Sequence, residues 1–439
     1  MRQGTTLKQR SRSGFSARFN LLWTGQAVSQ FGDYLAYLAV PWFIVELATG
    51  FDLASPSRNL GIWYALDSAP TILVGLFGGI LVDRLRLRGL MVTSDIARAA
   101  AFGALALAST GDYLSHPNRL LVLVFASAFI VGSFTTLFSS ALYTLVPRLV
   151  NPEKLAAANA RIAASQNIAQ ASAPLLAGHL VTFVGFWAVF ALNAFSYIVS
   201  AVSVALVGPI AKEPAPRSAN TVLSDIATGI RFVWTEARLR ITTIVGCVMN
   251  FSAGFLEATI VLIATDLVGV PDPSLGTFYS SLGIGAIIGS LLAAPAIRRF
   301  GLGRTRALGS ITAGGSWALL AVTHWGLPAL LLAGGFMTGL SLANIPALTI
   351  RQHYTPKVML GRVLSATTAI SWASLPVGAL VGTWAESHYG NLQGLVIAAS
   401  LLIVLAGLSV LPTILCKKDS AGPFQEPIPI VPLSPIPPE

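Results

Sequence analysis

Apolar segments of about twenty residues recur from one end of the chain to the other, and few charges interrupt them. A bilayer core is crossed by roughly twenty helical residues. Backbone N–H and C=O groups in lipid must pair within their own segment, so such runs are helices rather than strands. Twelve are read here, over 19–48, 60–83, 89–110, 119–146, 155–183, 186–208, 240–268, 275–297, 306–325, 328–350, 362–388 and 392–416. Composition agrees. Of 439 residues 54% are hydrophobic and only 10% charged, against about 25% charged in a soluble domain. The expected fold class is an all-α membrane protein with twelve transmembrane helices.

The basic residues orient these spans. All but Arg58 and Arg119 of the 28 Lys and Arg fall on one side of the membrane, which places both termini in the cytoplasm of a plasma membrane, a bacterial inner membrane in the first instance. The net charge of +10 is thereby explained without nucleic acid as a partner. The first apolar run is too long for a cleaved signal sequence and is expected to stay in the membrane. Cys247 and Cys416 form no zinc spacing and no disulfide framework. No cofactor or metal is expected, and the absence of a His/Asp metal cluster, a Gly-x-Ser-x-Gly motif or paired catalytic carboxylates argues against an enzyme.

The chain divides into a basic N-terminus (1–18), a six-helix half (19–208), a linker (209–239), a second six-helix half (240–416) and a Pro-rich tail (417–439) with seven prolines from Pro423 onward. Within the linker, Ser224 to Leu239 reads as an amphipathic surface helix with Ile226, Ile230, Val233 and Trp234 on one face. The halves echo one another. Gly79 to Gly89 joins spans two and three as Pro295 to Arg306 joins eight and nine, and Pro147-Arg148…Pro152 after span four is matched by Arg351…Pro356 after span ten. Two pseudo-repeat halves are the architecture of a rocking transporter.

An ionisable residue at mid-span costs several kcal/mol and points to function by default. Asp33 lies about fourteen residues into span one, on a polar stripe with Gln26, Ser29, Gln30 and Tyr37. It is either a proton-coupling carboxyl or one paired structurally with a neighbouring helix. Glu257 in span seven shares a stripe with Asn250 and Gly254, and serves either coupling or a cationic substrate unless it sits solvated at the outer rim. Asp67, beside Ser68 and Pro70, is a third coupling candidate or a local helix-bend partner. Asp83, Asp95 and Arg98 gather at the inner ends of spans two and three, with Asp95 and Arg98 one turn apart.

The stretch Phe19 to Asp33 (FNLLWTGQAVSQFGD), Gly79…Asp83-Arg84 with Ser94-Asp95…Arg98, and Pro147 to Asn159 (PRLVNPEKLAAAN) resemble the major facilitator superfamily. More narrowly they resemble its drug:proton antiporter-3 branch, which includes macrolide efflux proteins and an enterobactin exporter. The likeness covers 19–416. Arg86 stands where the loop motif has Gly, and Ala173-Pro174-Leu-Leu-Ala177-Gly178 replaces a Gly-Pro with a following Gly pair. The resemblance implies a major facilitator fold, with spans one, four, seven and ten around a cavity. It also implies a latch in which Asp83, with Arg84, Asp95 and Arg98, closes against the start of span eleven near Arg362 when the cavity opens outward.

On that basis the cavity would offer Gln26, Gln30, Tyr37, Thr136, Ser140, Tyr143, Asn250 and Asn344, with no mid-span Arg or Lys left to clamp an anion. Such a pocket suits a small, moderately lipophilic molecule of macrolide, siderophore or drug type. Proton-coupled efflux by alternating access is the leading reading, with the substrate, protons and lipid as partners and a monomer as the unit. A sugar- or nucleoside-type symporter and a lysolipid flippase are the alternatives.

Overall fold

The computed structural model describes residues 15–51, 55–84, 86–110, 116–151, 154–208, 219–356, 359–413 and 415–416, with side chains at 72–84, 156, 219–226, 360–362 and 365 outside the description. Most of the basic N-terminus, the first part of the linker and the Pro-rich tail therefore lie outside the described residues. Every described element is helical. The first half comprises α1 (Ala17–Gly50), α2 (Pro56–Arg84), α3 (Leu87–Ala108), α4 (Pro117–Leu149), α5 (Leu155–Phe183) and α6 (Phe186–Leu206). After α7 (Ala219–Thr235), the second half follows as α8 (Ala237–Ala258), α9 (Ile260–Leu262), α10 (Leu275–Phe300), α11 (Leu302–Leu320), α12 (Leu327–His353), α13 (Leu360–Trp372), α14 (Ser374–Tyr389) and α15 (Leu392–Val410).

These are twelve spans in two six-helix halves. Among the described residues, eight helices are long and apolar enough to cross a membrane on their own. The other four spans are α2, much of whose length is undescribed at side-chain level; α5, diluted by polar residues such as Gln166, Asn167 and Gln170; α11, which opens with Arg304 and Arg306; and the pair α13–α14. That pair is one span broken at Ala373. Pro376 has no N–H to offer the carbonyl four residues back, so the ladder is interrupted there. Span seven is also broken, at Thr259, and continues as a π-helical stretch, Ile263–Val268, ending at Gly269 in the left-handed region with φ 72°. Neither break was expected from the apolar pattern.

The two ends of the molecule differ. Call the face that holds the start of α1 and the end of α15 the terminal face, and its opposite the far face. One apolar core runs through both halves on the far side, from Leu38, Phe43 and Phe190 across to Val261, Phe278 and Trp317. On the terminal side the first half keeps a separate core of its own, with Phe19, Met91, Phe138 and Leu145. The halves meet where small residues let backbones touch. A Cβ on Gly276 of α10 would stand 2.3 Å from the Pro174 carbonyl oxygen of α5, and one on Gly61 of α2 would stand 1.9 Å from Thr383 Oγ1 of α14. Toward the terminal face Tyr143 is 72% exposed, Ile168 is exposed, and so is Asn344. The molecule is closed at the far face and open at the terminal face.

The linker helix packs on the second half through Val233. Val233 is fully buried with Leu239 and Val363, while Trp234 is exposed. Thus α7 docks against the start of span eleven, and its helix stops at Thr235, two residues before α8 begins.

Candidate functional site

The site begins with a glycine. A Cβ on Gly32 would lie 2.2 Å from Ser196 Oγ and 2.4 Å from Asn193 Oδ1, so α1 and α6 reach this closeness only because position 32 carries no side chain. The next residue, Asp33, is thereby set against Tyr197, whose hydroxyl donates to Asp33 Oδ1. The other side of the Tyr197 ring is covered by Arg98 of α3, whose guanidinium carbon lies 4.3 Å from the ring centroid and 4.7 Å from that of Phe138. Arg98 donates through Nη2 to Asp95 Oδ1 and through Nη1 to Thr135 Oγ1 at 3.4 Å. Asp95 and Arg98 are 0% and 2% exposed. Charged and π partners stabilise the cation in this dry place.

Asp95 and Arg98 were expected among the gate residues. They do pair one turn apart, but eight and eleven residues into α3, about 12 and 17 Å along its axis. There they connect inward to Tyr197 and Asp33 rather than to a rim. The side chains of Asp83, Arg84 and Arg362 lie outside the described residues.

Asp33 and Tyr197 open onto a cavity of about 240 Å³ held within the first half, between α1, α2, α3, α4 and α6. Asp67 lines it too, fixed where α2 meets α4; a Cβ on Gly132 would fall 2.2 Å from the Asp67 carbonyl oxygen. Beside it the Ser68 hydroxyl donates to the Tyr64 carbonyl at 2.6 Å. The walls are aromatic, with Tyr34, Tyr37, Trp63, Tyr64 and Phe102, and the polar groups Ser127, Thr135 and Asn193 complete them. Glu257 stands just beyond this wall. The Tyr64 hydroxyl donates to Glu257 Oε2, a hydrogen bond that crosses from the first half to the second. Tyr37 and Tyr279 make a second crossing, edge to face, with centroids 5.9 Å apart. The three carboxyls weighed separately in the sequence, Asp33, Asp67 and Glu257, thus converge on one region.

Of the hydroxyls and amides expected around a cavity between spans one, four, seven and ten, Tyr37 lines this first-half cavity. Gln30 accepts from Ser165 Oγ at 3.1 Å, tying α1 to α5, and Gln26 is buried with its Oε1 unpartnered. Thr136 and Ser140 donate to carbonyls of their own helix, Gly132 and Thr136, each at 2.9 Å. Asn250 Nδ2 donates to the Ser371 carbonyl at 2.8 Å, beside the break in span eleven. Tyr143 and Asn344 lie on the open, terminal side. Tyr197, Tyr64, Trp63, Asn193 and Thr135 were not anticipated. Asn193, Ser196, Tyr197 and Ser200 form a polar stripe at helical spacing in the otherwise apolar span six, and that stripe was the available signal. Among the described residues no group of His, Cys, Asp and Glu is arranged to hold a metal.

A two-half helical bundle, closed on one face and carrying acids around an internal cavity, is the build of a membrane transporter. The chain matches the Major Facilitator Superfamily over residues 22–379, and it belongs to that family. It is similar to the MFS-type transporter YvqJ of Bacillus subtilis, 26% identical over 91% of this chain and 93% of that protein. Macrolide efflux protein A of Streptococcus pyogenes is 23% identical over 90% and 95%, and the enterobactin exporter EntS of Shigella dysenteriae serotype 1 is 25% identical over 76% and 80%. Among solved structures, the peptide transporter POT in complex with sulfate aligns over 92% of this chain and 95% of its own, with a TM-score of 0.72 at 16% identity. The nucleoside transporter NupG aligns over 89% and 99%, with a TM-score of 0.71 at 13% identity. The chain is a multi-pass membrane transporter with efflux proteins among its relatives.

Proposed function

We propose that this transporter exports a small, moderately lipophilic molecule by alternating access, driven by protons, with Asp33 as the carboxyl that loads and releases the proton. The observation that carries this reading is the placement of Asp33. It faces a cavity at mid-span while Tyr197 and the Asp95–Arg98 pair hold it from behind. A carboxyl reached by substrate and solvent on one side, and fixed on the other, can change charge without the bundle losing its packing. A membrane potential supplies about 2.3 kcal/mol per charge per 100 mV, so one or two protons per cycle suffice for modest uphill export. Likeness to macrolide and enterobactin exporters supports the outward direction. In this reading both termini are cytoplasmic, on the Lys and Arg asymmetry, and the terminal-face opening is the inward-facing state of a monomer in the plasma membrane.

Inverted vesicles with an imposed pH gradient provide the test, using a macrolide as the transported probe. The parent protein is expected to accumulate it and to dissipate the gradient. Asp33→Asn keeps the shape and much of the hydrogen bonding, and should abolish uphill accumulation at least a hundredfold while downhill exchange persists. If the variant still concentrates the probe and dissipates the gradient as the parent does, Asp33 is structural and the coupling role moves to Asp67 or Glu257.

A further inference from the structure

The cavity has more acid than a single coupled proton requires. Asp33 is committed to Tyr197, and Arg98 is already neutralised by Asp95. Asp67 is different: it lines the cavity, and its carboxyl makes no hydrogen bond or ion pair with any described side chain. Among the described residues no Lys, Arg or His lines the cavity to balance it. What stands around it is aromatic: Tyr34, Tyr37, Trp63 and Tyr64. Asn193, fully buried, also lines the space and holds its Nδ2 without a partner. An unpaired carboxylate, a wall of π faces and one spare N–H donor describe a ligand by its complement. The ligand carries a positive charge that spreads over rings and a carboxylate, with an oxygen within reach of the amide.

We infer that the cavity of the first half is a binding site for a compact organic cation, a protonated amine or quaternary ammonium group bearing a neutral oxygen acceptor, with Asp67 as its counter-ion. The site rests on the export reading only for its purpose, since binding here needs no gradient. At about 240 Å³ the cavity admits a trimethylammonium group with a short hydroxylated arm and excludes the body of a large drug. A bulkier substrate would therefore present its amine here and leave its remainder in the space between the halves.

Choline and 3,3-dimethylbutan-1-ol share size, shape and hydroxyl and differ only in the charge, so the pair isolates the cation. Titration calorimetry on the purified full chain in neutral detergent should show choline binding at least tenfold more tightly than its neutral twin. Asp67→Asn should erase that difference. Trp63→Leu should weaken choline several-fold and leave the neutral twin unchanged. Equal binding of the two probes by the parent overturns the site, and so does choline binding that survives Asp67→Asn intact. If Asp67→Asn does not fold, the parent's comparison of the two probes still decides. Choline discrimination without gradient-driven accumulation in vesicles keeps the site and removes proton-coupled export. Accumulation of the macrolide probe by a parent that does not distinguish the two small probes does the reverse.

Discussion

The two halves share a fold but spend their polar residues differently. In the first half the buried charges form a connected set, from Asp95 through Arg98 and Tyr197 to Asp33, and Asp67 faces the same cavity. In the second half Arg306 and Arg351 stand apart from any described acid. Arg306, 2% exposed, donates through Nη2 to the Thr242 carbonyl at 3.0 Å, while its Nε and Nη1 have no partner. Arg351 donates to Ser371 Oγ at 3.2 Å and leaves Nε unpartnered. Among the described residues no carboxylate pairs with either. Carboxyls facing a cavity are the groups a transport cycle can use. In the second half Glu257 reaches the cavity wall through Tyr64, and Asn250 is committed to the break in span eleven.

The sharpest way to break this comparison is to remove one arginine from each half. Arg98→Gln strips the counter-charge from Asp95 and the cover from Tyr197. Deleting one partner of a buried pair costs about 3–5 kcal/mol, so a large loss of stability is expected, read as a lower melting temperature in detergent and poorer membrane yield. Arg306→Gln removes a charge that has one carbonyl partner and no acid. Its expected effect is within about 1 kcal/mol of zero, or stabilising. Equal losses for the two variants would mean that the halves do not differ in charge compensation.

Gly276 probes the seam between the halves. Its missing Cβ lets α10 rest on the Pro174 carbonyl of α5 at the far face. Gly276→Leu should wedge this contact at a cost of about 1–3 kcal/mol, as overpacking does. Closure at the far face would lose the same amount, a shift of about five- to a hundredfold in the population of the two states. Spin labels at Val184 and Asp272, both exposed on that face, should report a longer mean distance. Gly315, with open space where a Cβ would go, is the control position, and Gly315→Leu should leave the distance unchanged. An unaltered distance in Gly276→Leu would show that this seam does not hold the far face shut.

Much of the fold was legible because lipid leaves few choices. Each of the twelve spans lies within six residues of its reading from the apolar runs, and the small residues at Ala173-Pro174…Gly178 do serve close packing, against α10. The breaks at Thr259 and Ala373 were not legible, since a helix may carry proline or threonine without breaking and tertiary contacts decide. The candidate site was legible in part. Depth and polarity singled out Asp33, Asp67 and Glu257. Distance along the chain hid that Tyr197, 164 residues away, holds Asp33, and that Tyr64, 193 residues away, holds Glu257. Counting Arg98 and Arg306 with the basic inner face hid their burial, because the charge rule reads only which side an arginine favours and not whether it turns into the bundle.

Asn250 carries the smallest effect and the finest distinction. On sequence it stands on a stripe with Glu257 and would serve the cavity. In the structure its Nδ2 is spent on the Ser371 carbonyl, two residues before the break at Ala373, where regular helical pairing fails. A buried carbonyl left without a donor costs about 1–3 kcal/mol, so Asn250→Ala should lower stability by an amount in that range, read as a fall in melting temperature. The apparent affinity for the transported probe should stay within about twofold, since a change of less than 0.5 kcal/mol in binding is expected from a residue that does not touch the substrate. Asn193→Ala, in the cavity of the first half, should do the opposite and weaken probe binding with less effect on melting: its Nδ2 has no partner to lose, and Ser196 Oγ, which donates to its Oδ1 at 3.1 Å, keeps the Asn193 backbone carbonyl at 2.8 Å. If Asn250→Ala instead raises the half-saturating concentration tenfold at an unchanged melting temperature, the second half does supply substrate ligands, and the division of labour between the halves fails at this position.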